Sequence, residues 1–193
     1  MDTQIGYAIA TGCLVLFAIL GAFDGIYFHM MKYKLHQHPP AHLEHQIHTL
    51  RGLMFIPIAL IFFVWNSSGI VLWLGLALLG IDFIAEIVDI LVEKDARKEL
   101  GGISPAETVI HVTATGFRMA AIAIVLAFKP ITAYSIIGEF TLSPLPKHLS
   151  TLGILFVGGL ILALGAQYSQ SKIVQWKTQY ISNRCCMNSV CSV

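Results

Sequence analysis

The 193-residue sequence contains little charge, since Asp, Glu, Lys and Arg make up only 12% of it, about half of their share in soluble domains. Its 12 basic and 11 acidic residues leave a formal net charge of +1, so no basic excess is available to neutralise phosphates and no nucleic-acid partner is expected. The four cysteines are not spaced like a disulfide framework or a zinc knuckle. Apolar residues, in contrast, reach 56%, with a mean hydropathy of +0.74. These values predict an integral membrane protein.

Five segments contain the roughly 20 predominantly apolar residues that a membrane-spanning helix needs. They cover residues 5–31, 48–66, 69–92, 105–128 and 150–170. The sequence therefore predicts an all-α protein with one polytopic transmembrane domain, residues 1–193, ending in a cytoplasmic tail over 171–193. The first segment has no basic residues before its apolar run, so we expect it to be retained rather than cleaved as a signal peptide.

The basic residues near the ends of these segments predict the orientation of the chain. Most of them fall on one side, whereas Lys129 and Lys147 fall on the other. Cytoplasmic loops carry an excess of Lys and Arg, so the N-terminus is expected outside and the C-terminus inside. Short loops and a strong basic bias favour a bacterial inner membrane.

Acidic and histidine side chains collect at the inner end of the first four predicted helices. Ionisable residues within membrane spans are energetically unfavourable and commonly mark functional sites. Asp82, Glu86, Asp89 and Glu93 follow the i, i+4, i+7, i+11 spacing of one helix face. The predicted metal ligands are Asp24, His29, Glu44, His45, His48, Asp82, Glu86, Asp89, Glu107 and His111.

A weak internal repeat relates the second and fourth helices. Each carries a Glu-x3-His pair followed by an arginine: Glu44, His48 and Arg51 in one, and Glu107, His111 and Arg118 in the other. We interpret helices one and two, and helices three and four, as two versions of one hairpin. Together they would form a four-helix bundle with a polar site at its cytoplasmic end, an arrangement that many metal centres use.

Imidazole and carboxylate ligands without cysteine suit iron, manganese or zinc. Two in-span arginines against six in-span acids leave four negative charges, which two divalent cations would balance. The sequence therefore predicts a di-metal centre, with iron favoured and haem less so. Glu44, Glu86 and Glu107 would be the catalytic carboxylates, and Arg51 and Arg118 would orient acids around the cofactor. The expected function is a di-iron oxidoreductase acting on a membrane lipid or another lipid-soluble molecule.

Other polar residues are interpreted without a role in the site. His36 and His38 are expected in a solvated loop and His148 at the outer surface. Glu93 and Arg97, within the charged stretch 93–99, are expected to be solvated. His29 follows Asp24 by five residues, about 140° around an ideal α-helix, so the two can face one site only if that helix end is irregular.

Several alternatives remain open from the sequence. The same residues could bind zinc in a lipid amide or ester hydrolase, or hold a haem between two histidines in an electron-transfer subunit. In-span acids also occur in metal and proton transporters. A structural subunit of a larger membrane complex, with membrane-protein partners or a second copy of itself, is the remaining class.

Overall fold

The computed structural model describes residues 3–37, 41–136 and 142–187, which are almost wholly helical. The long helices are α1 (Thr3–Phe23), α2 (His42–Ala59), α3 (Gly69–Ala96), α4 (Pro105–Ala127) and α5 (Lys147–Met187). π-Helical segments extend α1 over Asp24–Lys32 and α2 over Leu60–Val64. Short 3-10 turns cover Leu35–Gln37, Lys98–Leu100 and Ile131–Tyr134, and two short strands are β1 (Trp65–Ser67) and β2 (Leu142–Pro144).

The prediction of an all-helical chain with five long apolar helices is confirmed. The helical segments with the length and composition to cross a membrane are Thr3–Lys32, Leu43–Val64, Gly69–Ala96, Pro105–Ala127 and Lys147–Ala166. The second begins five residues earlier than predicted, because the polar stretch after residue 42 is already helical. α5 continues as one helix through most of the predicted tail, and residues 188–193 lie outside the described part of the chain. Insertion and orientation remain predictions.

The start of α4 is fixed by its sequence. Ser104 is the N-cap residue, and its hydroxyl accepts a hydrogen bond from the backbone N–H of Glu107 at 3.3 Å. Pro105 occupies the first helical position, where its missing N–H would have no helical partner in any case. The cap therefore places Glu107 in the first turn and His111 in the second.

α1 packs against α4, and α2 packs against α3. α5 lies across α2, the Leu60–Val64 segment and α1. At Gly153 of α5 an added Cβ would lie 2.9 Å from the carbonyl oxygen of Phe63, so this approach requires glycine. The predicted pairing of helices one with two and three with four thus differs from the closest contacts. If the repeat relates α1 to α3 and α2 to α4, it also relates the α1–α4 pair to the α3–α2 pair, so the observed packing is compatible with a repeat. The repeat itself remains a prediction.

A small sheet and a lysine lie at the end of the helices opposite the acidic residues. β1 and β2 pair antiparallel, with Trp65 opposite Pro144. The buried ammonium of Lys129 donates hydrogen bonds to Oδ1 of Asn66 and to the carbonyl oxygen of Ser67, both at 2.8 Å. Burial lowers the pKa of Lys129 to about 8. This lysine therefore ties the end of α4 to β1.

Candidate metal centre

Seven carboxylates are buried at the end of the helices where the sequence analysis placed the polar site. They belong to Asp24, Glu44, Asp82, Glu86, Asp89, Glu93 and Glu107. Six of them lie 3.4 Å or less from the nearest arginine nitrogen. Asp24 is the exception among the described residues, because its ion-pair contacts are with His29 and His111.

Arg51 and Arg118 bind the acidic face of α3. Arg118 donates from Nη1 to Oδ2 of Asp82 at 2.6 Å and from Nη2 to Oε2 of Glu86 at 2.5 Å. Arg51 donates from Nη1 to Oδ2 of Asp89 at 3.0 Å, and its other nitrogens lie 3.6 Å from Asp82 and 3.3 Å from Glu86. These two arginines compensate the acidic stripe that the sequence spacing predicted.

Arg97 binds three further acids, each from a different helix. It makes a two-pronged contact with Glu44, and Nη2 also lies 3.0 Å from Glu107 and 3.4 Å from Glu93. The ring of Tyr33 covers the guanidinium, with Cζ 4.6 Å from the ring centroid. Burial acts to lower the pKa of Arg97, but the hydrogen bonds and charge of Glu44, with the charges of the other two acids, outweigh it and raise that pKa. Arg97 is therefore a fixed cation.

The expectation that Glu93 and Arg97 are solvated is wrong. Glu93 is 3% exposed and Arg97 is 0% exposed, because both side chains point inward from the last turn of α3. Asp95 and Lys98 on the other side of this turn are exposed and pair with each other. The charged stretch at this helix end therefore has a buried face and a solvated face.

Three imidazoles and one carboxylate come together beside these ion pairs. Asp24, His29, His48 and His111 each offer one potential ligand atom, and the four atoms lie within 4.8 Å of one another. Oδ2 of Asp24 is hydrogen-bonded to Nε2 of His111 at 2.7 Å and lies 3.5 Å from Nε2 of His29. The ring centroids of His29 and His48 are 4.7 Å apart. Ligand atoms that bind zinc tetrahedrally at about 2.0–2.1 Å lie about 3.3–3.4 Å apart, so a pair at the 4.8 Å limit would have to close by about 1.4 Å.

The π-helical segment Asp24–Lys32 explains how Asp24 and His29 face the same site. In an α-helix a separation of five residues points the two side chains apart. Hydrogen bonds in a π-helix close five residues apart instead, so residues i and i+5 lie on the same side of the helix. The irregular helix end that the sequence analysis required is therefore present.

Two of the histidines are backed by further acids. Nδ1 of His48 lies 3.1 Å from Oδ1 of Asp89 and 3.3 Å from the carbonyl oxygen of Glu44. Nδ1 of His111 lies 3.8 Å from Oε2 of Glu93. Metal-binding histidines commonly direct their second ring nitrogen to a carboxylate or carbonyl, which fixes the tautomer and the ring orientation. This arrangement leaves Nε2 of both rings available as a metal ligand.

The charge of the cluster favours a bound cation. Seven buried carboxylates face three arginines, which leaves four negative charges when the histidines are neutral. An uncompensated buried charge destabilises a fold by several kcal/mol, so protons or metal ions must supply positive charge here. Among the described buried atoms without a hydrogen-bond partner are Oδ1 of Asp24 and Nε2 of His29. Both belong to the group of potential ligands.

Four of the ten predicted ligands form this group, and six do not. The acids Glu44, Asp82, Glu86, Asp89 and Glu107 instead contact arginines, and His45 is outside the group. His148 is exposed at the opposite end, and His38 lies outside the described residues. Sequence reasoning missed Arg97, although its place four residues after Glu93 continues the acidic stripe of α3.

The side chains of His48 and His111 are 20% and 26% exposed, so the group is not fully enclosed. Nitrogen and oxygen ligands around an accessible position can support metal-dependent hydrolysis or oxidation.

Comparisons with protein-family models, with curated proteins and with solved structures found no match to this chain.

Proposed function

We propose that this chain is a membrane-embedded metalloenzyme in which Asp24, His29, His48 and His111 bind a first-row transition-metal ion. The observation that carries the proposal is the position of Asp24. It is the one buried acid of the described chain that pairs with histidines instead of an arginine. One carboxylate and three imidazoles would leave a divalent ion with a net charge of +1, which the acidic surroundings favour.

The ligand types support iron, manganese or zinc, and iron remains the metal that we favour. The proposed reaction is the oxidation of a lipid-soluble substrate by molecular oxygen or a peroxide, for which a bound iron ion would supply the redox chemistry. His48 and His111, the more exposed ligands, would border the substrate. The sequence predicts a second metal ion to balance the remaining acids. The proposal does not include one, because those acids already pair with arginines.

Zinc-dependent hydrolysis of a lipid amide or ester is a second candidate, favoured by the position of Glu107. Its Oε1 lies 4.0 Å from Nε2 of His29, so a fully buried carboxylate that is outside the ligand group stands beside that group. An acid in this position can accept a proton from a water bound to zinc. The identity of the bound metal separates the two candidates.

The experiment is to purify the protein in mild detergent and measure its metals by elemental mass spectrometry, with an absorption spectrum of the same sample. We expect one equivalent of iron and no Soret band, and His111→Ala should lose the metal while remaining in the membrane fraction. His148→Ala, which removes an exposed histidine from the opposite end, should retain it.

The outcomes distinguish the alternatives. One equivalent of zinc would favour the hydrolase over the oxidoreductase. A Soret band would contradict both candidates and favour a haem-binding protein. A wild-type protein that binds no metal after reconstitution, or His111→Ala with full metal content, would overturn the proposed site and favour a structural subunit.

A further inference from the structure

Glu44, Glu93 and Glu107 converge from α2, α3 and α4 on the guanidinium of Arg97. Nη2 of Arg97 lies 2.7, 3.4 and 3.0 Å from the nearest oxygens of these acids. All four side chains are at most 4% exposed. Carboxylates from several helices that point at one position are the usual way in which helical bundles bind metal ions. Here that position contains an arginine.

This arginine cluster adjoins the proposed metal centre. Oε1 of Glu107 lies 4.0 Å from Nε2 of His29, and Oε2 of Glu93 lies 3.8 Å from Nδ1 of His111. Two of the three acids around Arg97 therefore touch histidines of the neighbouring group. The two positions share a boundary, as two metal sites in a dinuclear centre would.

Glu107 has unused ligand capacity. Neither of its carboxylate oxygens has a hydrogen-bond partner in the described chain, although the side chain is 0% exposed. The 3.0 Å contact with Arg97 lies outside the direction of an N–H bond, so it is ionic only. A fully buried carboxylate normally accepts hydrogen bonds or binds a cation. Glu107 is thus oriented toward a cation without being hydrogen-bonded to it.

We infer that Arg97 occupies the place of a second metal ion and keeps the adjoining histidine site mononuclear. Its guanidinium supplies the positive charge that Glu44, Glu93 and Glu107 would otherwise obtain from a divalent cation. Removing this side chain should create a carboxylate metal site next to the first one. The inference rests on the proposed function, since the first site is the one bounded by Asp24 and the histidines.

The test uses Mn²⁺, an ion that carboxylate ligands suit. We would remove bound metal from the purified protein, Arg97→Ala and Arg97→Lys with a chelator, titrate each with Mn²⁺, and measure bound manganese after desalting. The wild-type protein and Arg97→Lys should each bind one equivalent, because a cation still lies among the three acids. Arg97→Ala should bind two, and its thermal stability should rise with Mn²⁺ more than that of the wild type. Arg97→Ala combined with Glu107→Gln should return to one.

Failure of the inference and failure of the proposed function give different results. A wild-type protein that binds two equivalents, or a folded Arg97→Ala that binds one, overturns the role of Arg97 and leaves the histidine site intact. No bound metal in the wild type overturns the proposed function. If Arg97→Ala does not fold even with Mn²⁺, Glu107→Gln alone decides: retention of one equivalent supports Arg97 as the partner of Glu107, and its loss makes Glu107 a ligand and refutes the inference.

Discussion

Asp24 and His29 are five residues apart, yet Oδ2 of Asp24 lies only 3.5 Å from Nε2 of His29. The π-helical hydrogen bonding of this segment aligns the two side chains. The same oxygen of Asp24 is 2.7 Å from Nε2 of His111, so one carboxylate joins α1 to α4. A local irregularity in one helix therefore assembles ligands from two helices.

Asp24→Asn should reduce metal affinity by at least about 100-fold, because it removes the negatively charged ligand and leaves three neutral imidazoles. Equilibrium dialysis against the metal found in the wild type would measure this loss. Asp95→Asn is the matched control, since Asp95 is exposed and its ion pair within the described residues is with Lys98. Equal affinities of the two variants would remove Asp24 from the site.

Asp89→Asn should weaken metal binding by about 10–100-fold through His48. The carboxylate of Asp89 lies 3.1 Å from Nδ1 of His48, and its loss would free the orientation of that ring. Asp82→Asn serves as the comparison, because Asp82 contacts Arg51 and Arg118 but makes no ion pair with a histidine in the described structure. A larger loss in Asp82→Asn than in Asp89→Asn would contradict the role of Asp89.

Arg118→Leu should lower the free energy of unfolding by about 3 kcal/mol, because Arg51, at longer distances, would be the one arginine of the described chain left in contact with Asp82 and Glu86. Thermal unfolding in detergent would measure the change. Lys98→Leu, in the exposed turn that follows α3, should have little effect. An Arg118→Leu protein as stable as the wild type, without any gain of bound metal, would show that these acids do not depend on Arg118.

Lys129 should make the free energy of unfolding depend on pH in the alkaline range. Burial lowers its pKa from 10.5 to about 8, so the unfolded chain binds more protons than the folded chain between these values. The free energy of unfolding should therefore rise with pH from about 8 to 10.5, by about 1–2 kcal/mol after allowance for solvent screening. Denaturant unfolding at several pH values would measure the slope. Lys129→Met should lack this component, and an unchanged slope in that variant would assign it to another group.

Much of the fold was predictable because membrane-spanning helices depend on local composition. Each long apolar segment found in the sequence corresponds to a helix. Both ends of the third and fourth helices lie within a few residues of the predicted limits. Ser104 and Pro105 mark the start of α4 through the local chemistry of a helix cap. The π-helical end of α1 was required by the positions of Asp24 and His29, but only if both residues belonged to one site.

The sequence by itself determined that acids, histidines and arginines of four helices meet at one end, since helix length and spacing fix the level and face of each side chain. Only the tertiary structure decided which acid pairs with which cation. Arg97 looked like part of a solvated turn, but helix packing buries it among Glu44, Glu93 and Glu107. Asp24 is the acid that contacts the histidines, because the arginines contact the other buried acids. Such pairings depend on distances of a few ångströms between helices, and no spacing along the chain encodes them.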